Sequence, residues 1–332
     1  MIEKFNLNQK NKNFVTYIIT LYNKKNYLLS VIKALSKEGG SHKREYIFVD
    51  DGSNDNSFLI IKSLKSKLPG EVKIIKRRNM GASYSTNEAI YIAKGYWIRL
   101  LDGDDKISYQ STSKMLLIAR QTKVEFIYGL IHEDKVTKSN KKIYNYRIQT
   151  KKEGLKKFIK NCPANSSCVL VSVKRFLDSG GCDENFVSPD QVLFLRLFAS
   201  GRGVFVKEIV ARMPIQGSSV SLSSQIRRSR YESILALIRF CEENKGIDKE
   251  LIKMAFKRSL SRANTYNKFL NKQAFSIYLI LYLVSKFYFP SNYLVWMYRC
   301  LKVFTKMDIN KPRNWLTGFE KKITSKKQVN QY

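Results

Sequence analysis

Apolar positions in the first third of the chain switch repeatedly between two periods. Phe14 to Leu21 (FVTYIITL) is a run of β-branched and aromatic residues with no breaker, which predicts a strand. Tyr27, Leu28, Val31, Ile32 and Leu35 then recur at helical spacing, and Gly39-Gly40 closes that helix. A second strand is predicted over Tyr46 to Val49. A helical stripe (Ile60, Ile61, Leu64, Leu68) comes next and stops at Pro69-Gly70. Val72 to Ile75 reads as a third strand, residues 77–81 as a turn, Ser83 to Ala93 as a helix, and the stretch from Tyr96 as a fourth strand. Such alternation predicts an α/β fold: a mostly parallel sheet with covering helices.

Further on, residues 107–128 read as another helix-then-strand unit. Glu133 to Lys157 is polar and lysine-rich and reads as a surface excursion. Cys168 to Val173 is strand-like, a helix is expected from near Asp190 with Pro189 at its mouth, and Gly203 to Ile209 is a further strand. The pattern changes after about Ser224. Ile234, Leu235 and Ile238, then Leu251, Ile252 and Ala255, predict amphipathic helices. The expected division is therefore a domain over 1–224 and a basic, aromatic-rich helical extension over 225–332. The apolar stretch Phe275 to Phe289 contains Lys286 and ends at Pro290. It is shorter than the roughly 20 residues that span a bilayer, so it reads as a buried or interface-lying helix.

Composition narrows the class. The chain has 332 residues, 44% of them hydrophobic, which is ample for a packed core. Five cysteines stand far apart with no CxxC pair, and two histidines, His42 and His132, are distant. A disulfide frame, a zinc site and a histidine-based triad are not expected. The polar N-terminal stretch predicts no secretory leader. The net charge of +33 favours an anionic partner: a membrane surface, a phosphorylated substrate or a nucleic acid. Residues 227–332 hold 22 Lys+Arg against 7 Asp+Glu.

Chemistry gathers at YWIRLLDGDDK, residues 96–106. An apolar strand runs directly into Asp102, Gly103, Asp104 and Asp105. In open α/β sheets ligands bind at the carboxyl ends of strands. Carboxylates crowded on so short a loop repel one another unless a cation intervenes, and hard oxygen ligands suit Mg²⁺ or Mn²⁺ completed by substrate phosphates. Taken alone, the loop reads equally as a solvated acidic turn.

Taken in order, IITLYN, EYIFVDDGSND, NMGASYSTNEAI, LLDGDD and GGCDENF followed by PDQVLFLRL resemble the family-2 glycosyltransferases of the GT-A fold, over roughly residues 14–222. The resemblance implies an inverting transferase that moves a sugar from a nucleotide-sugar, with UDP the expected carrier. Asp51 would accept the uracil N3–H, with Tyr22 stacking on the base and Thr20 hydrogen bonding to it; their alternatives are a turn cap and strand-end packing. Arg78, Asn79 and Gly81 would approach the nucleotide, with either Arg77 or Arg78 able to meet phosphate. Asp102 would serve the ribose or a structural role, and Asp104 and Asp105 the Mg²⁺ or Mn²⁺. Asp190 would be the base that deprotonates the acceptor, with Asp183 and Glu184 as runners-up and a helix N-cap as its alternative role. Gln216 stands where family members often carry His.

These readings imply an enzyme on the cytoplasmic face of a membrane, held peripherally by the basic, aromatic extension. Its acceptor would be a saccharide or a lipid-diphosphate-linked glycan of a surface polysaccharide. Two other classes compete: a basic nucleic-acid-binding protein, for which no recognition motif is present, and a glycosyltransferase fold that has lost activity and serves as an assembly partner.

Overall fold

The run FVTYIITL forms strand β1 (Phe14–Leu21), buried at every position except Thr20. Burial on both faces explains why it does not alternate. The computed structural model of the protein describes residues 11–133, 145–215, 226–273 and 275–304. Gln216, the middle of the lysine-rich stretch and the C-terminal segment lie outside the described residues.

Strand β1 is flanked by β2 (Lys43–Asp50) and β4 (Trp97–Asp102), and β2 by β3 (Glu71–Lys76), all in parallel register. Helices α1 (Lys25–Ser36), α2 (Ser57–Leu64) and α3 (Ala82–Ile92) make the crossovers, as the changing periodicity predicts. Beyond β4 the sheet stops being parallel. Strand β8 (Val169–Ser172) pairs antiparallel with β4 and with β6 (Phe126–Glu133). Strand β9 (Gly203–Met213) runs parallel to β6 and antiparallel to β5 (Lys106–Ile107) and β7 (Tyr146–Gln149). The order β3-β2-β1-β4-β8-β6-β9-β5 thus joins a parallel half to a mixed half at the β4–β8 seam. Helix α4 (Ser111–Thr122) connects β5 to β6.

The stretch expected to be a surface excursion proves otherwise. It contains β7 and an amphipathic helix, α5 (Lys151–Lys160), whose Leu155, Phe158 and Ile159 are fully buried. Lysines on its outer face masked that spacing. A capping box starts the helix: Thr150 Oγ1 accepts from the Glu153 amide, and Glu153 accepts from the Thr150 amide. Phe158 stacks on Phe194, their ring centroids 4.3 Å apart.

After α6 (Val173–Asp178) and α7 (Asp190–Ala199) come the C-terminal helices α8 (Ile226–Glu243), α9 (Lys249–Asn271), α10 (Ile277–Val284) and α11 (Tyr293–Cys300). Helix α8 packs on α7, α9 packs on α5, and their apolar residues belong to the same hydrophobic cluster as the sheet. Among the described residues no helix is long and apolar enough to cross a membrane.

A buried polar cluster lies under α4. The Tyr17 hydroxyl meets both Glu38 and His42 Nε2, the Thr112 amide donates to Glu38, and Arg44 Nε donates to His42 Nε2. Burial, reinforced by the charges of Arg44 and Arg120, pushes the imidazole from its ordinary 6.5 down to about 4. The unfolded chain protonates this ring below 6.5 and the folded chain does so only near 4. The ring's contribution to stability is therefore complete above about pH 6.5 and is lost as the pH falls toward 4. Glu38, raised chiefly by burial, acts in the opposite sense, so a His42→Gln comparison is needed to isolate the ring. Between about pH 7 and about pH 4.5, the wild type is expected to lose about 1–2 kcal/mol more than His42→Gln in urea unfolding. Equal losses would show that the ring is not held neutral.

Candidate active site

Parallel register brings the strand ends onto one rim. Thr20 pairs with Val49 and Asp102, and Leu21 with Asp50. The rim is then stitched across its loops: the Asp51 amide donates to the Leu21 carbonyl at 2.9 Å and the Gly103 amide to the Thr20 carbonyl at 2.8 Å. A Cβ on Gly103 would lie 2.5 Å from that of Leu21, so only glycine lets the acidic loop come this close to β1. The loops after β1 and β2 form one wall, because Asn23 Oδ1 accepts from the Asn54 and Asp55 amides. Tyr22 stands exposed at the top of that wall, and Thr20 is half-buried below it.

Asp51 is almost wholly buried. Its two oxygens accept from the Met80 amide at 2.7 Å and the Gly81 amide at 2.6 Å, and Arg77 lies 3.3 Å away. It therefore clamps the 77–81 turn to the end of β2. A carboxylate has about four acceptor positions, so a further donor can still be accommodated. Gly81 has φ +94°, a conformation that favours glycine, and it opens α3. The two arginines of the turn differ. Arg77 is committed, paired with Asp51 and Glu88 and lying over the Tyr84 ring at 4.1 Å. Arg78 and Asn79 are exposed, and among the described residues Arg78 makes no hydrogen bond or ion pair.

In the acidic loop, Asp102 and Asp104 keep partial exposure while Gly103 and Asp105 are buried. Asp104 is ion-paired with Lys24. Asp105, expected beside Asp104 at the cation, is instead turned inward, where Asn165 Nδ2 donates to it at 3.3 Å. Burial first, then the charges of Asp105, Asp190 and Asp104, raise the Asp102 carboxyl well above the usual carboxylate range. Burial, with Asp104 and Asp190 adding to it, lifts Asp105 to about 7. Among the described residues no group of three or more His, Cys, Asp or Glu forms a ligand cage. Partly exposed, mutually repelling carboxylates without a full cage fit a cation that completes its shell with phosphate oxygens.

The turn 166–168 joins this loop to Asp190. The Ser166 amide donates to Asp190 Oδ1 at 2.8 Å, and Ser166 Oγ donates to Asp102 Oδ1 at 3.4 Å. The Asp102 amide donates in turn to Ser167 Oγ at 3.0 Å. Asp190 is raised chiefly by burial, and the donors at Ser166 and Ser188 oppose that shift. The runners-up serve elsewhere. Asp183 is buried against Arg239 Nε at 2.9 Å, and Glu184 accepts from Asn87 Nδ2 at 2.9 Å. Contacts of Asn87 with residues 182 and 184, and of Ser83 with 186, lay this segment along α3. From the other side, Glu232 of α8 accepts the Val187 and Ser188 amides, both at 2.9 Å.

Several residues that shape the rim were not singled out from sequence: Lys24, Asn165, Ser166, Glu232 and Arg99. Only Arg99 carried a signal, as a lone charge inside an apolar strand. Its fully buried guanidinium donates to the carbonyls of Leu100, Ser167, Val169 and Val210.

A family model described as glycosyl transferase family 2 matches residues 16–177. The minor teichoic acid biosynthesis protein GgaB of Bacillus subtilis (strain 168) is 32% identical over 104 residues, 31% of this chain and 12% of GgaB. The chain spans well under half the length of the curated relatives it matches. Among solved structures, S. aureus TarS 1–349 in complex with UDP-GlcNAc has a TM-score of 0.63 at 16% identity, covering 82% of this chain and 79% of that one. The mannosyltransferase PcManGT of Pyrobaculum calidifontis, in complex with GDP-Man and Mn²⁺, has a TM-score of 0.55 at 11% identity, covering 88% and 85%. At such identities these two likenesses speak for the fold.

Replacing Arg99 tests what holds the site's floor. Arg99→Met leaves buried carbonyls without their donor and is expected to cost about 2–5 kcal/mol in urea unfolding. Arg99→Lys keeps the charge but not the planar fork and should recover less than half of that loss. A loss below about 1 kcal/mol in Arg99→Met would show that the carbonyls find other donors.

Proposed function

We propose, from the match of residues 16–177 to the family-2 glycosyltransferase model, that the chain transfers a sugar from a UDP-sugar to a hydroxyl of a surface-polysaccharide precursor, with inversion. The observation that carries this reading is the Ser166 bridge. One residue hydrogen bonds both to Asp102, on the nucleotide side of the rim, and to Asp190, on the acceptor side. In this reading the groups that serve donor and acceptor flank a single turn.

In this reading the uracil lies in the β1–β2 wall, stacked on exposed Tyr22, with Asp51 and Thr20 meeting its polar edge. Arg78 and Asn79, exposed on a turn that Asp51 clamps, approach the nucleotide. Asp102 meets the ribose. Asp104 would hold Mg²⁺ or Mn²⁺ together with the donor's phosphates, and the cation would supply positive charge to the diphosphate. Asp105, buried under the loop against Asn165, is not assigned as a second ligand. Asp190, held by Ser166 and Ser188, takes the proton of the acceptor hydroxyl as that oxygen attacks the anomeric carbon opposite the leaving UDP. Its raised affinity for protons suits a base, and one displacement inverts the centre. The UDP-GlcNAc held by TarS supports a UDP-sugar, and the name of GgaB supports a wall-polymer acceptor, which we infer to be lipid-diphosphate-linked.

Release of UDP from a panel of UDP-sugars, with an acceptor present, tests the roles. Asp190→Asn is expected to lower turnover about 10²–10⁴-fold while UDP affinity is kept. A loss within about tenfold would move the base elsewhere. Chelation by EDTA and Asp104→Ala should each abolish most turnover, and added Mn²⁺ should rescue only the former. Activity that survives both would remove the cation from the mechanism.

A further inference from the structure

Helix α10 presents an apolar stripe to water. Its eight residues, IYLILYLV, contain no polar side chain except the tyrosine hydroxyls, and none is buried. Tyr278, Leu281 and Tyr282 face inward and pack against the core beside α9. Ile277, Ile280, Leu283 and Val284 recur at helical spacing on the opposite side, with Ile277 and Ile280 each 57% exposed. Phe275 before the helix is 89% exposed and Phe287 after it 93%. A surface helix ordinarily carries charge on its outer face, and an apolar stripe of this length marks an interaction surface.

The charge around the stripe identifies the partner. From Leu251 to Phe304 the sequence contains no Asp or Glu and nine Lys or Arg. Lys272, Lys286, Arg299 and Lys302 are exposed on the segments that flank the stripe. Tyr288 and Tyr298 are exposed nearby, and half-buried Trp296 lies beside Tyr288; these rings combine an apolar body with a polar tip. An apolar stripe on a segment with many cations and no acid suits an interface between hydrocarbon and anionic headgroups. A second copy of the chain would bring the same predominantly positive segment against itself, which disfavours a two-fold contact. A nucleic acid would leave the apolar centre uncovered.

We propose that α10 and its flanking residues dock the chain on an anionic lipid bilayer, with Ile277, Ile280, Leu283 and Phe287 entering the headgroup region and the lysines meeting lipid phosphates. The helix lies on the surface; at eight residues it does not cross. Because the stripe is separate from the acidic rim, binding is expected with no donor or acceptor present. The transferase reading can therefore fail without this one failing, and the reverse.

The test is co-sedimentation of the full chain with vesicles of phosphatidylcholine alone and with vesicles containing phosphatidylglycerol. Wild type is expected to bind the anionic vesicles and to be released by added salt. Ile280→Glu combined with Phe287→Glu should lower partitioning about tenfold or more, because two anchors are lost and two repelling charges gained. Lys286→Gln should weaken binding to the anionic vesicles only. Circular dichroism and UDP affinity of these variants should match wild type, since the positions are exposed. The proposal fails if wild type does not bind anionic vesicles, if the paired variant binds as well as wild type, or if sedimentation velocity shows that the stripe instead holds two copies together.

Discussion

A buried guanidinium fixes the geometry on which the site depends. Arg99 sits in the middle of β4, where the parallel half of the sheet meets the mixed half, and its donors tie β4 to the 166–168 turn, β8 and β9. Among the described residues no carboxylate touches it. Carbonyl oxygens take its hydrogen bonds, and the charges of Glu38 and Asp105 act on it through space. A cation buried this way is costly unless its donors are used, so the surrounding carbonyls are held to the places where they meet it. Ser167 is one of them. With its backbone fixed by Arg99, its hydroxyl accepts from the Asp102 amide, and the adjoining Ser166 links Asp102 to Asp190. The order of the acidic rim is thus inherited from a contact beneath it.

The two ends of the parallel strands show what makes a carboxylate available for chemistry. Glu45, near the start of β2, is fully buried and answered on all sides: Thr16 Oγ1 at 2.7 Å, the Lys94 amide at 2.8 Å and Lys73 Nζ at 2.8 Å. It is structural. At the other end, the charges of Asp104 and Asp190 act on Asp102, and Lys24 pairs with Asp104. Their repulsion is tolerable because Asp102 and Asp190 take up protons more readily, or because a cation joins them. Strand direction alone separates the two environments, since crossover loops that can turn inward toward a ligand lie at the carboxyl ends.

Much of this was legible from sequence. Strand β1 begins and ends where FVTYIITL does, and α1, α2 and α3 follow their apolar spacing, because each is a local element whose burial is written in its own periodicity. The placement of Asp51 and Asp102 at strand ends was equally legible. The mixed half was harder. Strand β8 is only four residues long and its antiparallel pairing is a long-range choice that no local pattern specifies. Helix α5 was obscured by its lysines. Asp104 and Asp105 look equivalent in sequence, yet the turn sends one outward and the other inward. Lys24 and Glu232 were illegible for a different reason. Each is an ordinary charged residue locally, and its role arises from a partner 80 or 45 positions away.

Glu232 also changes how the C-terminal helices are to be understood. They lie beyond the matched stretch 16–177, and composition alone suggested an appendage. Yet Glu232 of α8 accepts the two amides just before Asp190, and Arg262 of α9 donates to Gln191 Oε1, just after it, at 3.1 Å. Arg239 of α8 pairs with Asp183 in the same segment. Asp190 is therefore held between residues that belong to the extension. The same α9 that reaches Gln191 supports the apolar stripe of α10. The proposed lipid-docking surface and the proposed base Asp190 are thus mounted on one helical frame, so that anchoring the frame at a bilayer would also fix how Asp190 is presented to an acceptor carried by that bilayer.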